Sequence, residues 1–105
     1  MIIGIPKEIK NNENRVSIIP FGVEDLSKSG HQIIIQSQAG IGSGFTDDVY
    51  KQAGGKIVDT PDEIYQKSDI IIKVKEPQFE EIQMIQKDQI IFCYFLQKKG
   101  WLGVD

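Results

Sequence analysis

The chain has 105 residues, 40% hydrophobic and 26% charged, with a formal net charge of −3 and a pI near 5.1. That length fits a single domain with one sizeable core, and the balance of apolar and charged residues excludes a disordered polymer. The acidic character, with no basic run, argues against nucleic acid and anionic membrane as partners. No apolar run is long enough to span a bilayer, and residues 1–10 lack the apolar stretch of a signal peptide. The one cysteine, Cys93, lies in the apolar run Ile90–Leu96. It reads as a buried thiol, leaves no disulfide framework and fits a reducing cytoplasm.

Met1–Pro6 reads as a short apolar strand stopped by Pro6. The segment Lys7–Arg15 is polar and Asn-rich, a loop at the carboxyl end of that strand rather than a core element. After the apolar Val16–Ile19, Pro20 occupies the first turn of a helix over about Phe21–Ser29. Glu24 and Asp25 lie early in it, Lys28 late, and Gly30 is its C-cap. Gln32–Gln36, centred on three isoleucines, is the second strand. It feeds Ala39-Gly40-Ile41-Gly42-Ser43-Gly44, after which Thr46 caps a helix with Asp47 and Asp48 in its first turn and Gly54 near its end. Lys56–Val58 is a third strand. Thr60-Pro61-Asp62-Glu63 has the form of a capping box, opening a helix through Tyr65. Ile70–Val74, fenced by Ser68-Asp69 and Pro77, reads as a strand buried on both faces, because it does not alternate apolar with polar residues. Phe79, Ile82 and Ile85 recur at spacings of three, the stripe of a surface helix. Ile90–Phe95 is the last strand. Strands alternating with short helices predict an α/β fold: a mainly parallel, helix-covered sheet, Rossmann-like or flavodoxin-like, in a single domain.

Two places could carry chemistry. The glycine loop follows a strand and precedes a helix, and Asp59 lies 19 residues after Gly40. That approaches the dinucleotide fingerprint, in which glycines admit a pyrophosphate and an acid binds the ribose. Phe45, however, stands where the third glycine belongs, and the helix begins only after Thr46. The plainer reading is a glycine-permitted turn over a strand end. The second place is a pair of cations. Arg15 follows the first strand and Lys75 ends the Ile70–Val74 strand, so in a parallel sheet both open on one edge. There they are either solvated charges or a clamp for an α-keto acid, with the planar fork of Arg15 on the carboxylate and Lys75 near the carbonyl.

Residues 4–30 resemble the amino-terminal signature of the alanine dehydrogenase and pyridine nucleotide transhydrogenase family. The resemblance rests on Gly4, Pro6, Glu8, Asn12-Glu13, Arg15-Val16, Pro20, Val23, Leu26 and Gly30, with Ser17 and Ile19 departing from the usual residues. Gly40–Phe45, Lys73-Val74-Lys75-Glu76-Pro77 and the run into Phe92 and Tyr94 also match, so the likeness covers residues 1–95 and is closest to alanine dehydrogenase. It implies NAD-dependent interconversion of L-alanine with pyruvate and ammonia. Carried over by position, Arg15 holds the substrate carboxylate and Lys75 contacts the substrate. Family members bind NAD on a separate Rossmann domain, which favours the plain reading of the glycine loop.

The departures set further expectations. Leu96 occupies the position of the family's catalytic histidine, and residues 96–105 form a tail unlike the family. The only histidine, His31, belongs at the edge opposite Lys75. The sequence thus reads as a substrate-binding domain over residues 1–95, with no cofactor site, no metal site and no complete catalytic set, as a truncated gene or shifted frame would leave it. It should bind pyruvate or L-alanine weakly and be inactive alone. Apolar surfaces left by the missing segments should make it a homo-oligomer, or an interaction module that associates with full-length alanine dehydrogenase or with a separate NAD-binding chain.

Overall fold

The structure is a computed structural model that describes residues 1–93. Short runs of isoleucine, fenced by glycine, proline and polar residues, give five strands: β1 (Ile2–Ile5), β2 (Gln32–Gln36), β3 (Lys56–Val58), β4 (Ile70–Lys73) and β5 (Ile90–Cys93). Four helices separate them, α1 (Pro20–Lys28), α2 (Asp47–Gln52), α3 (Pro61–Lys67) and α4 (Phe79–Ile82), with a 3-10 turn at Ile41–Ser43. All strand pairs are parallel, in the order β3-β2-β1-β4-β5. The predicted α/β class is therefore the observed one. The last strand was expected to reach Phe95; Tyr94, Phe95, Leu96 and the tail lie outside the described residues.

The register assigns the two faces. Ile3, Ile5, Ile33 and Ile35 share one face with Val23 of α1 and Tyr50 of α2. Ile34, Val58 and Ile71 share the other with Ile64 and Tyr65 of α3. A side chain at Gly4 would strike the Ser68 side chain, so the missing Cβ lets α3 and its following turn lie close on β1. Because β1 sits between β2 and β4, the chain moves outward through β2 and β3 and then returns to β4. The loop after β1 leads to α1 on one face, and the segment after β4 leads to α4 on the other. A crevice opens where such connections part, at the carboxyl ends of the strands.

Several local expectations need correction. β4 is covered more fully on one face than on the other: Ile71 and Lys73 are buried, whereas Ile70 and Ile72 pack against the opposite core cluster but stay partly exposed. Cover thins there because α1 and α2 lie over β2 and β3. Glu24 and Asp25 fall beyond the first turn of α1, which has no acid. Ser29 is its C-cap, and Gly30 follows at φ +96°, the left-handed turn that ends the helix. Thr60 caps α3 by accepting the Glu63 N–H at 3.3 Å, but the Glu63 carboxylate reaches forward to Lys67 at 3.2 Å. Cys93 is half-buried, with burial raising its thiol pKa. The stripe after Pro77 is inverted: α4 has one turn, Phe79 and Ile82 are 73% and 56% exposed, and Glu81 points inward. The cause is an ion cluster beneath it.

Candidate functional site

The strand face that buries Ile71 next buries Lys73, two residues on, at 1% exposure. An ammonium so placed must be paired. Its Nζ donates to Glu8 Oε1 and to Glu81 Oε2, each at 3.0 Å. The carboxylates take further donors: Glu8 accepts the Val74 N–H at 2.9 Å and the Lys75 N–H at 3.3 Å, and Glu81 accepts the Gln78 N–H at 2.8 Å. The Tyr65 hydroxyl is buried nearby without a hydrogen bond of good geometry; burial first, then the charge of Glu81, pushes its pKa up. Above this cluster Lys10 pairs with Glu76 at 2.8 Å, which holds the Glu76 carboxyl below its ordinary range. The loop after β1 and the segment after β4 are thereby bound together at the carboxyl edge. Glu8 belongs to a loop whose composition excluded it from the core, yet it is buried.

Arg15 is in the same loop. Its Nε and Nη2 donate to the two oxygens of Glu13, each at 2.9 Å, and its backbone N–H donates to Glu13 Oε2 at 2.9 Å. The Glu13 side chain is 5% exposed and that of Arg15 52%. These hydrogen bonds, aided by the more distant charge of Lys75, lower the Glu13 pKa; the pair correspondingly raises that of Arg15. A cleft of about 200 Å³ opens here, lined by Lys7, Glu8, Glu13 and Arg15 from the first loop and by Gln38 and Gly42 from the glycine loop. Lys75 does not line it. It stands on the β4 side, half-buried, with no ion pair among the described residues, close enough for its charge to be felt at Glu13 and Glu76. The predicted cations thus meet at one edge without sharing the cleft wall.

The glycine loop is the cleft's other wall, and its glycines are accounted for by close packing. A methyl group at Gly42 would strike the Asn14 backbone carbonyl, and one at Gly40 would meet the Phe45 carbonyl at 3.0 Å as well as the Tyr50 ring. Asp47 closes the loop by accepting Ser37 Oγ at 2.7 Å and the Gln38 N–H at 2.9 Å. Tyr50, whose burial raises its pKa to about 12, donates to the Ile18 carbonyl at 2.7 Å and ties down the segment that follows Arg15. His31 immediately precedes β2, at the opposite edge, as expected. Among the described residues no cluster of His, Cys, Asp or Glu could hold a metal ion, and no helix is long and apolar enough to cross a membrane.

An open parallel sheet with helices on both faces and a charged cleft at the carboxyl ends of its strands, between the loops after β1 and β2, defines a doubly wound α/β domain. The model of the alanine dehydrogenase/PNT N-terminal domain matches residues 4–99, and the chain belongs to that family. It is 49% identical over 94 residues to the alanine dehydrogenase of Methanococcus maripaludis, covering 90% of this chain and 25% of that protein. Against the alanine dehydrogenase of Bacillus subtilis the identity is 45% with the same coverage. A solved L-alanine dehydrogenase superposes with a TM-score of 0.87 at 45% identity, over 90% of this chain and 26% of that one. The transhydrogenase from Sinorhizobium meliloti gives 0.82 at 29% identity, over 89% of this chain and 26% of that one. The chain therefore spans about a quarter of the length of the relatives it matches.

Sequence reasoning missed Lys73, Glu81 and the pairing of Glu13 with Arg15. One signal was available: Lys73 lies two residues after Ile71 on a strand, hence on the same face.

Proposed function

We propose that this chain is the substrate-binding domain of an L-alanine dehydrogenase, taking pyruvate or L-alanine at the carboxyl edge of β1 and β4. Arg15 receives the carboxylate, and Lys75 contacts the carbonyl oxygen of the keto acid. The observation that supports this most is the charge state of that edge. Of the two carboxylates in the cleft wall, Glu13 is matched by Arg15, and Glu8 shares Lys73 with Glu81 and accepts the Val74 and Lys75 N–H groups. Lys7 and Lys75 have no ion-pair partner among the described residues, so the mouth favours a small anion.

Oxidative deamination in this family uses NAD, and hydride transfer needs nicotinamide, an acid–base group and the carboxylate clamp held together; orientation alone is worth ~7–11 kcal/mol. Residues 1–93 offer the clamp. These residues taken alone therefore bind substrate and do not reduce NAD. A second reading, association with full-length alanine dehydrogenase or with a separate NAD-binding chain, draws support from the exposed apolar side chains Phe79 and Ile82 of α4 and Ile90 of β5.

Calorimetric titration of pyruvate and L-alanine tests the site. Weak binding is expected, with Arg15→Ala and Lys75→Ala each lowering affinity about tenfold or more through loss of a charge-assisted contact. Wild-type affinity in both variants would remove this edge from consideration. NADH formation by purified chain with alanine and NAD would overturn the binding-module reading.

A further inference from the structure

We infer that Glu13 is a positioning residue for Arg15, holding the side edge of its guanidinium so that the end-on pair of N–H groups is presented to a substrate carboxylate. This deepens the proposed function and rests on it. A guanidinium carries five N–H donors arranged as two forks, one formed by Nε with Nη2 and the other by Nη1 with Nη2. Glu13 takes the first, with Nε to Oε2 and Nη2 to Oε1 both at 2.9 Å. The second fork is left, on a residue that lines the cleft. The carboxylate is the fixed member of the pair, because the backbone N–H of Arg15 also donates to Oε2 at 2.9 Å and the Glu13 side chain is 5% exposed. Arg15, 52% exposed, is the open member. Its long side chain, otherwise free to sample many rotamers in water, is thus set in advance for a planar anion. The hydrogen bonds from Arg15 depress the Glu13 pKa further below neutrality, as expected of a carboxylate held in this pair.

A competing role makes the opposite prediction. If Glu13 were only a negative charge that an incoming carboxylate must displace, Glu13→Gln would tighten anion binding. If it aims the fork, the same change weakens binding despite adding positive charge to the site. Pyruvate is titrated into the full 105-residue chain and into Glu13→Gln, Glu13→Asp and Arg15→Ala. The Arg15 Nε–H resonance is followed by NMR, and amide spectra report whether each variant is folded. The expected result is about tenfold weaker pyruvate binding in Glu13→Gln, the scale of one lost charge-assisted contact. The Arg15 Nε–H signal, protected and displaced in the parent, should return to the position of a solvated arginine. Glu13→Asp keeps the charge but is one methylene too short for both bonds; it should weaken binding as well, and it carries the test if Glu13→Gln does not fold. Unchanged or tighter binding in the folded Glu13 variants, with Arg15→Ala weakened, overturns this inference and leaves the site standing. Parent-like affinity in Arg15→Ala overturns the site and the inference together.

Discussion

Two carboxylates converge on one ammonium beneath the cleft, and the balance of that cluster decides what a single substitution does. Lys73, Glu8 and Glu81 carry a formal charge of −1 between them in a place nearly closed to water. Three backbone N–H groups, from Val74, Lys75 and Gln78, offset the excess. Desolvating such a cluster cancels much of its Coulomb attraction, so replacing all of it can cost little, whereas removing one member strands the others. Lys73→Met should lose about 3–5 kcal/mol, a large share of the roughly 5–15 kcal/mol typical of a domain. Urea denaturation should show a lower midpoint with an unchanged slope. The triple variant with Glu8→Gln and Glu81→Gln should recover most of the loss. A change under ~1 kcal/mol in Lys73→Met, the scale of exposed ion pairs, would mean that water reaches the cluster.

The glycine loop shows how an element can be bound by its neighbour. Gly42→Ala should be costly, because the new methyl meets a backbone carbonyl of Asn14, which cannot swing aside as the end of a side chain can. A loss of ~1–3 kcal/mol is expected from such overpacking, with weaker pyruvate binding because Asn14 adjoins Arg15. Gly44→Ala faces open space and only the strain of φ +89°, about 1 kcal/mol. Thermal denaturation should rank Gly42→Ala below Gly44→Ala; the reverse order would mean that the loop, not its packing on Asn14, sets the cost. The strands were legible because isoleucine runs between turn residues have few other uses. Arg15 and the strand-end position of Lys75 were legible as charges at one edge. α4 was not: the spacing of Phe79, Ile82 and Ile85 promised an apolar inner stripe, but the buried ammonium draws Glu81 inward and turns two of those side chains to solvent. Lysines and glutamates are ordinarily exposed, so a local pattern does not announce a pairing between residues 65 apart.

At the scale of the molecule the covering is lopsided. Helices protect β1, β2 and β3, while the rim formed by β5 exposes Ile90 and Phe92, and α4 adds Phe79 and Ile82. Among the described residues β5 is the last strand in the sheet order, the place where a further strand adds to a sheet. Covering even 400 Å² of apolar surface yields on the order of 10 kcal/mol before the cost of association. The chain should therefore form dimers or larger assemblies, with mass rising across a concentration series in light scattering. Ile90→Lys combined with Phe92→Lys should return it to the monomer. A parent chain that remains monomeric throughout would show that this rim does not recruit a second copy.

The distance along the chain between the members of the ion cluster fixes when the clamp can exist. A nascent chain that has completed β1, β2 and β3 already contains Arg15, Glu13 and the glycine loop. Glu8 is then still in water, because Lys73 has not been made and Glu81 follows eight residues later. Only when β4 comes alongside β1, closing a long intervening loop, is the loop after β1 joined to the segment after β4. A partly synthesised domain thus holds its arginine beside the glycine loop, through the Val16 N–H on Ser43 Oγ, but lacks Lys75, so the proposed keto-acid site is incomplete. On the proposed site, pyruvate would stabilise only the finished sheet and by mass action would draw the last steps of folding forward.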